Sequence, residues 1–122
     1  MILYHFTHPQ RIVPIMQSGI TRGDVPVTPS GGFNAPWLTV DPEPSNQKWV
    51  SGGGKTGARI EVEIPETQLE NLQTWEVVCK EFGVDLWWKK ALEETGGGDD
   101  SSWYVFRGKV LPAWIVKVDY FY

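Results

Sequence analysis

The feature that most constrains the fold is a strict alternation of apolar and charged residues near the middle of the chain. Ala58, Ile60, Val62 and Ile64 are apolar, and Arg59, Glu61 and Glu63 are charged. Successive side chains of a strand point to opposite faces, so this segment is predicted to be a strand with one buried and one solvated face. Such strands are typical of antiparallel sheets. Pro65 is expected to end the strand.

The first residues show the same alternation, followed by a helix signal. Positions 2 to 7 alternate between two sets of side chains, and His5 lies on the same face as Thr7. Thr7 is placed as a helix N-cap, with proline at position 9 and glutamine at position 10. We expect a helix that kinks or breaks at Pro14 and ends at Gly19.

A long loop, further strands and two helical regions complete the predicted order. Residues 21 to 36 hold three Pro and three Gly and are predicted to be a loop. Strands are predicted at 37 to 40, 103 to 107 and 114 to 121, and helices after Asp41-Pro42 and between 67 and 95, with a cap at Asp85. Because no regular strand-helix repeat is sustained, we predict one α+β domain spanning residues 1–122, with a mixed sheet.

Composition and charge narrow the functional classes. The 122 residues are 41 % hydrophobic and 21 % charged, which is typical of one soluble globular domain. The net charge of −4 is spread along the chain without a basic cluster, and this disfavours binding to nucleic acid. No apolar run approaches the ~20 residues that span a bilayer, so no membrane partner is expected.

Cysteine and histidine usage adds two expectations. Cys79 is the single cysteine, so no internal disulfide can form. Together with the lack of a recognisable signal peptide, this predicts a reducing, cytoplasmic location. One Cys and two His do not have the spacing of a zinc site, so no metal is expected.

Tryptophan is the outlying residue type, with seven copies in the chain. Indole rings are preferred where a flat apolar face meets a ligand or a partner, although packing in the core and at its rim is their more common use. Trp87 and Trp88 illustrate both interpretations, since adjacent helical side chains point about 100° apart. One is expected to anchor the core, and the other lies at its rim or in a docking patch for a protein target.

His5, at the centre of the opening strand, is the first candidate for chemistry. An imidazole donates and accepts hydrogen bonds near neutral pH, which suits it to hold a ribose hydroxyl or to move a proton. The alternative is a buried histidine bonded to the backbone. Residues 52 to 56, by contrast, only superficially resemble a phosphate loop, because they lack its full spacing and lead into a strand.

Four short motifs follow one another in an order that resembles a known superfamily. They are Leu3-Tyr4-His5-Phe6-Thr7, a helix ending in Ser18-Gly19-Ile20, Trp37-Leu38-Thr39, and Asp41-Pro42. The order is similar to that of the ADP-ribosyltransferase superfamily, especially its histidine-tyrosine-glutamate branch, which includes small bacterial toxins and rifampin-modifying transferases. The later strands extend this resemblance over nearly the whole chain. It implies a mostly antiparallel, split sheet flanked by short helices.

The resemblance also implies a site for NAD. His5 would bond the ribose next to adenine, and the backbone of Phe6 would pair with the nicotinamide amide. Trp37 would stack on the nicotinamide ring, where cation-π attraction is worth about 0.5 to 2 kcal/mol. The cofactor-binding set would be completed by Thr7, Thr39 and Trp49. The imidazole of His5 and the indole of Trp37 are therefore expected to face a common cleft.

The carboxylate of this family is the part that the sequence lacks. The matching place, residues 101 to 104, holds no glutamate, although a fixed carboxylate would stabilise the oxocarbenium character that develops when the glycosidic bond of NAD breaks. Asp100, just before it, is the candidate substitute for a catalytic role beside His5 and Trp37. The alternatives are that Asp99 and Asp100 form a solvated turn, that Glu61 or Glu63 supplies the acid, or that the protein binds without catalysing.

These expectations combine into two functions of different classes. The first is a mono-ADP-ribosyltransferase-like protein that binds NAD and transfers ADP-ribose to a macromolecular target. The second is a non-catalytic nucleotide- or protein-binding module on the same fold, such as an inhibitor or immunity factor. RNA 2′-phosphate transfer, which uses a related fold, is disfavoured because the chain has no basic cluster.

Overall fold

The computed structural model describes residues 1–21, 23–28, 31–44, 57–83 and 102–121. Its strands are Ile2–Thr7 (β1), Asp24–Thr28 (β2), Gly31–Asn34 (β3), Trp37–Thr39 (β4), Ala58–Glu63 (β5), Leu72–Thr74 (β6), Trp103–Phe106 (β7) and Ile115–Tyr120 (β8). The α-helices are Ile12–Ser18 (α1) and Trp75–Phe82 (α2), and short 3-10 helices cover Pro9–Arg11, Glu66–Asn71 and Pro112–Trp114. None of the helices in these ranges is long and apolar enough to cross a bilayer.

Six of the strands form one antiparallel sheet in the order β6-β7-β4-β1-β5-β8. The other two, β2 and β3, pair only with each other as a hairpin in the described part of the chain. The predicted α+β class is therefore confirmed, whereas the predicted mixed sheet is wrong, because every strand pairing in the described residues is antiparallel. The opening strand β1 lies between β4 and β5, so His5 is carried by an interior strand of the sheet.

The first face of the sheet carries Leu3, Leu38 and Ile60, and α1 covers it with Ile12 and Ile15. The inward side chains of β5 are the apolar ones of its alternating pattern, and all three have no exposed surface: Ala58, Ile60 and Val62. Full burial of an aliphatic side chain contributes about 1.5 to 3 kcal/mol, so this face supplies much of the stability of the fold.

The second face carries Trp103 and Val105, and α2 packs on it through Trp75, Val78 and Cys79. The helix begins after Thr74, whose hydroxyl oxygen accepts a hydrogen bond from the Val77 amide at 3.2 Å, and it ends at Gly83. Cys79 is a buried residue of this core.

The chain leaves α1 through a close contact between Gly19 and Val110. Gly19 has φ of +85°, and a Cβ atom there would lie 2.1 Å from the Val110 carbonyl oxygen. Ile20 and Val110 then exchange two backbone hydrogen bonds of 2.9 and 3.1 Å. Glycine is thus required both by the conformation and by the space, and the predicted helix stop at Gly19 is confirmed.

The start of the first helix differs from the prediction. Thr7 is the last residue of β1, where it pairs with Ala58, and the N-cap of the helix that follows is His8, whose side chain makes no cap hydrogen bond. The chain instead forms a 3-10 helix at Pro9–Arg11, preceded by His8, before α1 begins at Ile12. The expected kink or break at Pro14 is wrong, because α1 runs through Pro14. The proline lies in the first turn of the helix, where its missing N–H removes no intrahelical hydrogen bond.

The prediction that residues 21 to 36 form a loop is wrong. β2 and β3 form an antiparallel hairpin within this range, with Asp24 opposite Asn34 and Val25 opposite Phe33. Backbone pairing defines a hairpin, and it requires no apolar alternation in either strand. Proline and glycine content alone therefore misidentified the segment.

The prediction of helical structure between residues 67 and 95 is confirmed for α2 and is wrong for the residues immediately before it. A 3-10 helix at Glu66–Asn71 and the strand Leu72–Thr74 precede α2. The 3-10 helix has three residues per turn, so the spacing of three between Leu69 and Leu72 did not distinguish it from an α-helix. The expected helices after Asp85 and through Trp49 lie outside the described residues.

Candidate functional site

A cleft of about 930 Å³ opens beside β1, between that strand, α1 and β4. Its polar lining includes Tyr4, His5, Thr7, Arg11 and Ser18. We call it the His5 cleft. Its volume lies within the range of about 300 to 1,000 Å³ that is usual for small-molecule sites.

The cleft lies where two halves of the sheet are weakly joined. β1 and β4 share a single register pair, Tyr4 with Thr39. Beside that pair, Nδ1 of His5 lies 2.9 Å from the main-chain carbonyl oxygen of Trp37. A carbonyl oxygen only accepts, so Nδ1 is the protonated nitrogen of a neutral His5 ring. The imidazole thus supplies a side-chain hydrogen bond at the seam between the two strands.

The environment of His5 keeps the ring neutral at pH 7. Burial of the imidazole lowers its pKa below the usual value of 6.5, and the bond to the Trp37 carbonyl opposes this shift. With the hydrogen on Nδ1, Nε2 is an acceptor. The side chain is half-buried and borders the cleft, so the chemistry that His5 offers to a ligand is acceptance of a hydrogen bond.

Trp37 borders the same cleft, but its ring does not share a face with the imidazole. His5 is paired with Ile60 of the first face, whereas Trp37 is paired with Val105 of the second. The Trp37 ring lies 5.3 Å from Trp75. The prediction that the imidazole and the indole face a common cleft is therefore wrong: the two residues meet, but through the Trp37 carbonyl.

Trp37 belongs to a cluster of three indoles on the second face. Its ring centroid lies 6.1 Å from that of Trp103, in an edge-to-face arrangement, in addition to its contact with Trp75. Trp75 and Trp103 are buried and Trp37 is half-buried. These three tryptophans therefore pack in the core and at its rim, which is the more common use of tryptophan, and do not form a ligand-binding face.

The remaining predicted residues of β1 and β4 are close together, with different roles. Phe6 and Thr7 border the cleft but expose only 8 % and 6 % of their surface, so their main chain is what they can offer to a ligand. The Thr39 hydroxyl accepts from the Asp41 amide at 3.0 Å and donates to Ser102 at 3.3 Å. It therefore stabilises the end of β4. Two predicted site residues, Trp49 and Asp100, lie outside the described residues.

No described residue that lines the cleft is acidic. Glu61 lies on the second face, paired with Tyr4 and Lys117, and Glu63 lies 3.4 Å from the N-terminal ammonium group. Neither glutamate borders the cleft, so β5 does not supply a catalytic carboxylate to the His5 cleft. The described residues also contain no group of three or more His, Cys, Asp or Glu side chains that could hold a metal ion.

Several polar residues at the cleft were not predicted from the sequence, and three of them lie in segments that were interpreted differently. His8 and Arg11 border it from the 3-10 helix and its N-cap, in a segment that was interpreted only as a helix start. Asn34, at the end of β3, borders it from the hairpin. The pairing of β2 with β3 brings Asn34 to this edge, and the sequence carried no signal for that pairing.

Arg59 holds the other side of the seam together. Its guanidinium donates to the Pro42 carbonyl oxygen at 2.7 Å and to Asp119 at 2.9 Å. The group lies over the rings of Tyr4 and Phe121, at 5.6 and 5.1 Å from their centroids. Arg59 therefore ties the segment that follows β4 to β5 and β8.

Comparison with known proteins adds no assignment: no family model matches the sequence, and no curated protein matches it either.

Proposed function

We propose that this chain binds NAD or a closely related nucleotide in the His5 cleft. The observation that carries the proposal is the His5–Trp37 hydrogen bond, since it leaves Nε2 as the acceptor of a residue that borders the cleft. A ribose hydroxyl is a natural donor to such an atom. The resemblance to ADP-ribosyltransferases in the opening strand assigns the same partner to His5.

The other lining residues support a nucleotide. Arg11 supplies a cation at the cleft, and charge-assisted hydrogen bonds from arginine to phosphate oxygens are among the stronger polar contacts in proteins. Pro14 of α1 supplies exposed apolar surface beside the polar groups. A cleft that combines apolar walls with a few polar groups fits a ligand made of rings, sugar hydroxyls and phosphates.

The ADP-ribosyltransferase-like fold is part of the same proposal. An interior opening strand, a short helix that ends in glycine and a weak seam between β1 and β4 support the split sheet that the resemblance implies. Trp37 is not assigned the stacking role, because its ring packs on the second face of the sheet.

Transfer of ADP-ribose to a protein target is the further step that the resemblance implies. It needs a carboxylate near the scissile bond, and Asp100 is the candidate. The geometry supports nucleotide binding more strongly than it supports ADP-ribose transfer, since the described lining of the cleft contains no acid. A non-catalytic nucleotide-binding module, such as an inhibitor, is therefore the second candidate function.

Titration of the protein with NAD, combined with assay of free nicotinamide, tests both. Binding with release of nicotinamide that Asp100→Asn abolishes supports transfer. Binding without release supports the module. If Asp100→Asn leaves the release of nicotinamide unchanged, another residue supplies the acid. A failure to detect binding of NAD, ADP-ribose and AMP would contradict the proposal.

A further inference from the structure

The base of the hairpin of β2 and β3 is closed by the side chain of Asn34. Oδ1 of Asn34 accepts a hydrogen bond from the Gly23 amide at 2.9 Å, and Nδ2 donates to the Thr21 carbonyl oxygen at 3.0 Å. The Ala35 amide adds a backbone bond to the Gly23 carbonyl oxygen at 2.8 Å. One amide side chain thus links the entry of the hairpin to its exit.

This base is itself fixed to the core. Immediately before Thr21, Ile20 exchanges two backbone hydrogen bonds with Val110, and both residues are buried. A Cβ atom on Gly23 would lie 2.1 Å from the Ala35 carbonyl oxygen, so the two backbones are in close contact. Because Thr21 directly follows the anchored Ile20, motion of the hairpin relative to this anchor would break the bond from Nδ2 of Asn34 to the Thr21 carbonyl oxygen.

The same residues form one wall of the His5 cleft. Thr21, Gly23 and Asn34 border it together with His5. We propose that Asn34 is a positioning residue, which fixes the hairpin as a wall of the cleft and thereby sets the affinity for the ligand. This inference rests on the proposed function, because it concerns the same site.

The chemistry of the amide explains why asparagine serves at this position. The Gly23 amide requires an acceptor and the Thr21 carbonyl requires a donor, and a carboxamide provides both on a short side chain. An aspartate keeps the acceptor but places negative charge against the Thr21 carbonyl oxygen. An alanine removes both bonds. Since Asn34 is exposed, neither change is expected to affect overall stability strongly.

The test compares Asn34→Asp and Asn34→Ala with the wild-type protein, and uses Asn71→Asp as the matched control. Asn71 donates to Gln68 in the 3-10 helix before β6 and does not border the cleft. We expect the Kd for NAD to rise by about tenfold in both Asn34 variants, since the loss of one or two hydrogen bonds has this order of effect. Asn71→Asp is expected to leave it unchanged.

Hydrogen exchange at the Gly23 and Ala35 amides provides a readout that does not depend on the ligand. Faster exchange at Gly23 in Asn34→Ala, with an unchanged melting temperature, is expected. An unchanged Kd in both Asn34 variants, with NAD bound by the wild type, overturns this inference and leaves the proposed function intact. If the wild type does not bind NAD, both fail, and the exchange rates still show whether Asn34 holds the hairpin.

Discussion

Nδ1 of His5 donates a hydrogen bond to the main-chain carbonyl oxygen of Trp37 at 2.9 Å, across the seam between β1 and β4. This contact has two consequences. It stabilises a junction that has one register pair, and it fixes the tautomer in which Nε2 is an acceptor. A structural and a ligand-binding role of His5 are therefore compatible, because they use different nitrogen atoms.

The low pKa of His5 predicts a loss of stability in mild acid. In the unfolded chain His5 titrates near 6.5, and burial lowers the pKa in the folded protein. The unfolded state therefore binds more protons below pH 6.5, so the stability that His5 contributes is present above that pH and falls as the pH drops towards the folded pKa. Urea unfolding between about pH 5 and 8 measures this for the wild type and His5→Asn.

His5→Asn is the informative variant for that experiment, since an asparagine amide can still donate to the Trp37 carbonyl but does not titrate. The difference in unfolding free energy between wild type and variant should shrink as the pH falls through 6.5. Parallel curves over the whole range would show that the His5 pKa is not shifted. Asp119 titrates in a separate window, because its bonds to Arg59 and Lys117 lower its pKa below 3.8.

Gly19 and Gly83 offer a matched pair of substitutions to alanine. Both have positive φ, at +85° and +61°. A Cβ on Gly83 would meet no atom within 4 Å, so Gly83→Ala should cost only about 1 to 2 kcal/mol of conformational strain. A Cβ on Gly19 would in addition overlap the Val110 carbonyl, so the cost of Gly19→Ala should be at least twice as large.

Thermal or urea unfolding of the two glycine variants gives the comparison directly. Equal costs would mean that the contact between Gly19 and Val110 is loose enough to relax. Gly19→Ala is also expected to weaken ligand binding, because the Ile20–Val110 bonds anchor the base of the hairpin at the cleft.

How far the sequence predicts this fold depends on whether the signal is local. The alternation in β1 and β5 is local and predicted both strands, and the glycine at position 19 marked the end of α1. The hairpin in residues 21 to 36 was missed, because its strands are defined by pairing with each other. Pairing of this kind leaves little trace in composition.

The misplacement of the Trp37 ring has a similar cause. Alternation shows that Trp37 and Thr39 share a face of β4, but not which face of the whole sheet that is. The register of Tyr4 with Thr39 decides it, and this pairing joins residues 35 positions apart in sequence. Shifting that register by one residue would bring the indole to the side of His5, so no local pattern could have settled the question.

Arg59→Lys is expected to loosen the segment that follows β4. A lysine cannot bond both the Pro42 carbonyl and Asp119 with the geometry of a guanidinium fork, and it loses stacking over Tyr4. With the side chain only 21 % exposed, the loss should be about 1 to 2 kcal/mol in the free energy of unfolding.

A suitable control for that change is Lys80→Ala, which removes an exposed ion pair with Glu76 on α2. Such pairs contribute about 0.5 kcal/mol or less, so this variant should remain close to the wild type. If Arg59→Lys is no more destabilising than Lys80→Ala, the guanidinium network does not hold the seam.

The central claim is that Nε2 of His5 accepts a hydrogen bond from a nucleotide in the cleft. Calorimetric titration of NAD into the wild type and into His5→Asn tests it most directly, since the variant can keep the bond to the Trp37 carbonyl and lacks the second ring nitrogen. We expect a folded variant whose Kd for NAD is raised by about tenfold or more. Equal affinity of the two proteins for NAD would contradict the claim.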